Sequence, residues 1–400
     1  MHLADQLVAL GGAFLVAALL ARAGRQIDLP TIPLFILAGI LLGPNTPGIV
    51  LFENPADLKL LATLGLIFLL FYLGLEFSME RLVEGGGKLV GIGAAYIAIN
   101  VGGGFVFGLT LGWGFEEALV LAGVLGISSS AIATKILVER KRMDYPETPL
   151  ILGIIVIEDL FLALYLAVVT PVISGAGDTT EIAKDVLVGF VFLAALAAVA
   201  RWGTAIVARL LNSDSDELLI VAVVGLTVLV SGIAEELGVS DAIGAFMVGL
   251  IIGETVLRER VETKILPLRD LFGALFFFHF GLLLVPADVL DLAPLVAIAV
   301  LLTMLLNWIA GVLAARVSEL GRLEAARIAL TVFARGEFAL ILVTLAGTAG
   351  LDQRISSFTA GYVFVLAIIG PLLASRAKYL LAFFPQRLFP AERSAPEGTA

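Results

Sequence analysis

The chain has no cysteine and only two histidines among its 400 residues. No disulfide framework and no thiol chemistry is therefore available to it. His2 and His279 do not suffice for a resident metal centre, and no motif calls for a cofactor. Charge is scarce as well. Asp, Glu, Lys and Arg make up 15% of the residues, against about 25% in an ordinary soluble domain. The net charge of −10 is spread over loops and offers no basic patch for nucleic acid. Nothing basic precedes the first apolar run and no small-residue cleavage site follows it. That run is expected to remain as a span and not to be removed as a signal.

What fills the chain is apolar: 60% of residues, with a mean hydropathy of +1.06. A water-soluble fold of this length cannot hide so much apolar surface. A bilayer accepts it once every backbone group is paired in helices or a closed barrel. Runs such as Leu58–Leu75 and Ile220–Ile233 are continuous, unlike the alternating segments of a membrane barrel. The expected fold class is an all-α polytopic membrane protein. At roughly 20 residues per span, the chain holds about thirteen transmembrane helices. They are placed at 4–22, 29–43, 57–78, 88–111, 116–138, 148–173, 183–210, 216–236, 240–257, 265–285, 292–315, 324–349 and 356–383. Residues 1–383 form the transmembrane domain, and 384–400 a short polar cytoplasmic tail with no folded regulatory domain.

Basic residues sort by loop. Arg22 and Arg25, Arg81 and Lys88, Arg140 to Arg142, Arg201 and Arg209, Arg258 to Arg269, Arg316 to Arg327, and Arg376 to Arg393 fall on one side. Lys59, Lys184 and Arg354 fall on the other. Positive loops stay in the cytoplasm. The N-terminus is thus expected outside and the C-terminus inside the cell's inner membrane.

The sequence also repeats itself. PTIPLFILAGILLGP (Pro30–Pro44) parallels SDAIGAFMVGLIIGE (Ser240–Glu254), and Gly65–Phe77 parallels Phe272–Leu284. Glu116–Leu137 then parallels Leu323–Thr344, at a spacing of roughly 207 residues. The copies, about 29–173 and 240–383 with a linker helix near 183–210, start seven spans apart. An odd offset makes them inverted, the arrangement of secondary transporters that bind substrate near the midplane between repeats.

Both copies carry a polar interruption at matching positions: GISSSAIATK (Gly126–Lys135) and VFARGEFAL (Val332–Leu340). Hydroxyls compete for backbone carbonyls and loosen a helix, and paired interruptions point to a transport site. Close helix packing is the plainer explanation of Ser128, Ser129 and Ser130 taken alone. The sharpest feature is Glu158–Asp159 inside LGIIVIEDLFLALYLAVV. An acid at that depth costs at least a few kcal/mol and is a functional-site hypothesis by default. Asp159 is expected to hold either a proton or a desolvated cation. Exposed alternately to each side, one such group suffices for antiport. Glu158, the hydroxyls of Ser128, Ser129, Ser130 and Thr134, and freed carbonyls would complete the shell. Arg335 and Glu337 are expected to neutralise each other or an opposing helix end, in a mainly structural role. Lys135 pairs with an acid or snorkels to the cytoplasm. Asn307 lies inside a span and needs a partner. Glu76 sits at a span end, and His279 reads as a packed core residue.

These segments resemble the membrane domain of the monovalent cation:proton antiporters of the second family, which includes bacterial sodium/proton and potassium-efflux exchangers. The resemblance rests on LAGILLGP (Leu37–Pro44), FLLFYLGLEF (Phe68–Phe77), GISSSAIATKIL (Gly126–Leu137), EDL (Glu158–Leu160) and RGEFALIL (Arg335–Leu342), which run through nearly the whole chain. It implies exchange of K+ or Na+ for H+, a homodimer, a core domain moving against a dimer-forming domain, and Asp159 as the ion-binding acid. One departure is informative. Many members carry a lysine, paired with the first acid of the pair, where this chain has Asn307. That leans the expectation toward electroneutral exchange. Potassium-efflux relatives often carry a soluble nucleotide-binding domain after the last span. This sequence shows none, which leaves room for a separate cytoplasmic regulatory subunit.

Three rival readings remain. A cation channel would share the buried acid without proton coupling. An organic-anion transporter on a related fold would prefer a cation at the crossing, as Arg335 supplies. An intramembrane enzyme would need cooperating aspartates, a Ser–His pair or a metal, and adjacent Glu158 and Asp159 point about 100° apart on a helix.

Overall fold

The computed structural model describes residues 3–26, 29, 31–76, 79–174 and 179–389. Among them the chain is helical, without strands. The helices are α1 (Leu3–Arg25), α2 (Thr31–Leu42), α3 (Lys59–Glu76), α4 (Met79–Leu111), α5 (Phe115–Gly126), α6 (Ser130–Glu139), α7 (Thr148–Ile173), α8 (Thr179–Ala198) and α9 (Thr204–Leu211). They continue as α10 (Asp216–Glu236), α11 (Asp241–Gly253), α12 (Arg258–Leu283), α13 (Pro286–Asp291), α14 (Ala293–Val317), α15 (Arg322–Thr331), α16 (Glu337–Thr348) and α17 (Arg354–Ser375). A π-helical turn (Val199–Gly203) joins α8 to α9. Nine helical segments among the described residues are long and apolar enough to cross a bilayer. Three more, Thr31–Leu42, Asp241–Gly253 and Glu337–Thr348, are apolar but shorter.

Two of the expected single spans are broken. The segment expected at 116–138 is α5, an extended stretch and α6. That expected at 324–349 is α15, a non-helical stretch and α16. The last expected span stops at Ser375, and residues 377–383 continue as a 3-10 turn. The tenth begins earlier, at Arg258. The tail expected at 384–400 is described only to Phe389.

Helices α2, α3, α11 and α12 pack together, with α1 against α2 and α10 against α11. A second set joins α4, α5, α7, α14, α15, α16 and α17. Lipid tails are as apolar as leucine, so helices in a bilayer associate through close packing of small residues. The first set shows this at two crossings. A Cβ on Gly39 would lie 2.0 Å from the Phe278 carbonyl oxygen, and one on Gly281 2.2 Å from that of Ile36. A Cβ on Gly74 would lie 2.0 Å from the Phe246 oxygen, and one on Gly249 2.0 Å from that of Phe71. The crossings α2·α12 and α3·α11 are thus built alike, from glycines in the parallel sequence segments.

Candidate ion-binding site

The two helix breaks meet. Helix α5 ends when Ile127 turns extended, and Ser129 starts α6 with its side chain accepting the Ile132 N–H at 3.3 Å. In the other break, Val332 ends α15 and Glu337 is the first residue of α16. The Ser129 N–H donates to the Ala334 carbonyl at 2.9 Å. A Cβ on Gly336 would lie 2.7 Å from Ser129 Oγ, so the serine side chain packs directly on the glycine. Irregular backbone at membrane depth is tolerated only where protein partners satisfy it.

Four helix ends therefore converge, two with bare carbonyls and two with bare N–H groups. Arg335, fully buried at 0% exposure, answers the carbonyls. Its Nε donates to Leu125 O of α5 at 2.8 Å, and its Nη1 to Val332 O and Phe333 O beyond α15 at 2.9 and 3.2 Å. A cation at helix C-termini is favoured by the macrodipole, as a carboxylate is at N-termini. Glu158 and Glu337 take the N-terminal places. Glu158 Oε1 accepts from the Ser128 N–H at 3.1 Å, at the approach to α6. Glu337 accepts from Ser129 Oγ at 2.8 Å and Ser130 Oγ at 3.5 Å while heading α16. Ser128 Oγ lies 3.0 Å from Glu158 Oε1 and 2.9 Å from Val332 O, so its one proton is shared between two acceptors.

Asp159 is different. It is buried, at 6% exposure, its Oδ1 like Glu158 Oε2 has no protein partner, and no serine hydroxyl or arginine answers it. It lies within electrostatic reach of Glu158, Glu337 and Glu76. The hydroxyls expected around it are aimed elsewhere: Ser128 at Glu158, Ser129 and Ser130 at Glu337. A cavity of about 650 Å³ reaches Ser130, Thr134, Lys135 and Glu337 and is also lined by Tyr72, Glu76 and Arg269. Asp159 is not among its lining side chains. Glu76, expected as a solvated span end, therefore shares the cavity with the site. Among the described residues no three His, Asp or Glu side chains converge as a metal cage.

Asn307 finds its partner in a tyrosine. Its Oδ1 accepts from Tyr96 Oη, and its Nδ2 donates to the Thr303 carbonyl at 3.0 Å. Thr303 Oγ1 in turn lies 2.5 Å from Tyr362 Oη. Sequence reasoning missed Tyr96, Thr303 and Tyr362. A tyrosine in the apolar run of α4 was the available signal. Glu158 faces Arg335 as its compensating charge, not a residue of α14. His279 is half-buried on α12.

Crossed helix breaks with buried acids lie at the centre of a polytopic membrane fold, and the comparisons with known proteins identify its class as a monovalent cation:proton antiporter. The family described as sodium/hydrogen exchanger, transmembrane, matches residues 12–375, and the chain belongs to it. It is 39% identical, over 92% of both chains, to the K(+)/H(+) antiporter subunit KhtU of Bacillus subtilis. It is 28% identical to the ammonium/H(+) antiporter subunit AmhT of Alkalihalophilus pseudofirmus, over 88% of this chain and 87% of the other. The fold matches the sodium proton antiporter MjNhaP1 of Methanocaldococcus jannaschii with a TM-score of 0.72, at 16% identity over 95% of this chain and 99% of the other. The chain is a transporter, not an enzyme.

Proposed function

We propose that this protein exchanges potassium for protons by alternating access, with Asp159 as the group that binds either one. One observation carries the reading. Of the three acids at the helix crossing, Glu158 accepts from Ser128 and faces Arg335 and Glu337 accepts from Ser129, whereas Asp159 keeps a buried oxygen with no protein partner and has only other acids, Glu158, Glu337 and Glu76, within electrostatic reach. A buried acid in that condition is satisfied by a proton or by a cation, and not by both. The preference for potassium over sodium leans on the 39% identity to a K(+)/H(+) antiporter subunit.

Glu158 is held by Ser128 and faces Arg335, so Asp159 alone exchanges and transport is electroneutral. The matched segments form two inverted repeats, and adding the two interrupted pairs and the short helices α2 and α11 to the nine long spans makes thirteen passes. The N-terminus lies outside and the C-terminus in the cytoplasm of the inner membrane. The protein works as a homodimer. Its relatives KhtU and AmhT are named as subunits, which supports a separate regulatory partner here.

The test is reconstitution in liposomes with an imposed pH gradient and a lumenal pH dye. Potassium should move protons in wild type and not in Asp159→Asn. Cation flux without proton movement would instead favour a channel, and rates that follow an imposed membrane potential would sink electroneutrality.

A further inference from the structure

A second cluster of buried charge lies away from the crossing, at the start of α7. Arg327 Nη1 of α15 pairs with Glu147 Oε1 at 3.2 Å, and both side chains are buried. The Arg327 guanidinium also stacks over Tyr145, 4.6 Å from the ring centre. Buried Arg142, in the turn between α6 and α7, donates Nη2 to the Ala374 carbonyl at the end of α17, at 2.7 Å. Its own carbonyl accepts from Thr148 Oγ1 at 2.6 Å. Three elements are thus fastened at one point.

The fastening is not good as a stabilising device. Glu147 Oε2, Arg327 Nε and Arg142 Nη1 are buried without partners, and one carboxylate stands against two buried guanidiniums, of which only Arg327 pairs with it. A buried ion pair of this kind adds little to stability, and its best-attested use is to fix register. Its position suits that use. Glu147 stands at the N-cap of α7, the helix of Glu158 and Asp159. Arg327 sits on α15, which leads directly into the break containing Arg335.

We propose that Glu147 and Arg327 are positioning residues, a tether that holds α7 and α15 in register so that Asp159 and the Arg335 crossing move as one body. The proposal rests on the antiport reading for its consequence but not for its geometry. The groups facing Glu147 are Arg327 and Glu324 from α15 and Arg142 and Tyr145 from the turn, with Arg140 beside Arg142. Desolvation outweighs the attraction of Arg327 and raises the Glu147 carboxyl above the ordinary glutamate range. Acidification therefore protonates Glu147 before it protonates an exposed glutamate. The tether is present at neutral and alkaline pH and lost as the pH falls.

Because a single substitution strands a buried charge, the decisive variant is the apolar double Glu147→Leu/Arg327→Met. Amide exchange of residues 143–150 and 322–331 is followed between neutral and mildly acid pH, corrected for intrinsic rates. In wild type, acidification should speed it by about tenfold. The double variant should exchange fast at both pH values while melting no earlier than wild type. In liposomes it should lose about tenfold in maximal rate, keep its apparent KM for the cation, and lose the acid limb of the pH profile. Wild-type amides whose protection ignores pH, or a double variant with wild-type protection, overturn the tether. A wild type that moves no protons with either cation overturns the antiport reading and leaves the exchange measurement to judge the tether.

Discussion

Replacing Arg335 with methionine tests whether the crossing is held by compensation of helix ends. The change keeps much of the side-chain length and removes the charge. Leu125 O, Val332 O and Phe333 O lose their guanidinium donor. A buried carbonyl left without a donor costs about 1–3 kcal/mol. Glu158 also loses its nearby positive charge; the two groups are not in ion-pair contact, so this cost stays below the cost of breaking a buried pair from one side, about 3–5 kcal/mol. These penalties overlap and do not add, but together they are a sizeable share of a domain's total stability of about 5–15 kcal/mol. Arg335→Met should therefore melt at least about 10 °C below wild type or fail to accumulate. Arg335→Lys keeps the charge but not the planar fork that reaches two helix ends at once, so it should fall between. Adding Glu158→Gln to Arg335→Met removes the stranded acid and should recover part of the loss. The assay is thermal unfolding in detergent followed by size exclusion. A single Arg335→Met variant that melts with wild type would refute the reasoning, since a guanidinium spectator would then suffice to describe Arg335.

Three further outcomes follow from the same geometry. Gly74→Val and Gly249→Val place carbon about 2.0 Å from a facing backbone oxygen and should abolish the folded protein, while Gly11→Ala, with nothing within 4 Å of its Cβ, should express and melt like wild type. Tyr96→Phe leaves Asn307 Oδ1 without its donor and should lower stability by about 1–2 kcal/mol with exchange retained, measured by unfolding and by liposome flux. Asp159→Asn should remain folded and lose exchange, which separates a transport group from a packing group.

Much of this arrangement could be read in advance, and the boundary of what could not is physical. Bilayer depth makes charge expensive, so Glu158 and Asp159 stood out without any structure. Helix breaks need hydroxyls, glycine and charge in the middle of apolar runs, so Ser128–Ser130 and Arg335–Glu337 were visible too, and their parallel placement pointed to a crossing. What one chain read end to end does not carry is which donor meets which acceptor once distant helices pack. Ser129 and Glu337 are separated by 208 residues and Tyr96 and Asn307 by 211, and hydrogen bonds at that range leave no periodic trace. The serines therefore looked like ligands for Asp159, although they serve the two other acids. The same ignorance hid Arg142, Glu147 and Arg327, which read as ordinary basic and acidic loop residues of the cytoplasmic side. Their partners fall on α15 and α17, far along the chain. The consequence bears on transport. The serines answer Glu158 and Glu337, and Arg335 answers the helix ends, so the hydrogen bonds that join the two breaks are made without Asp159. On the proposed reading Asp159, the acid with no compensating cation beside it, changes its occupant without dismantling the scaffold that presents it.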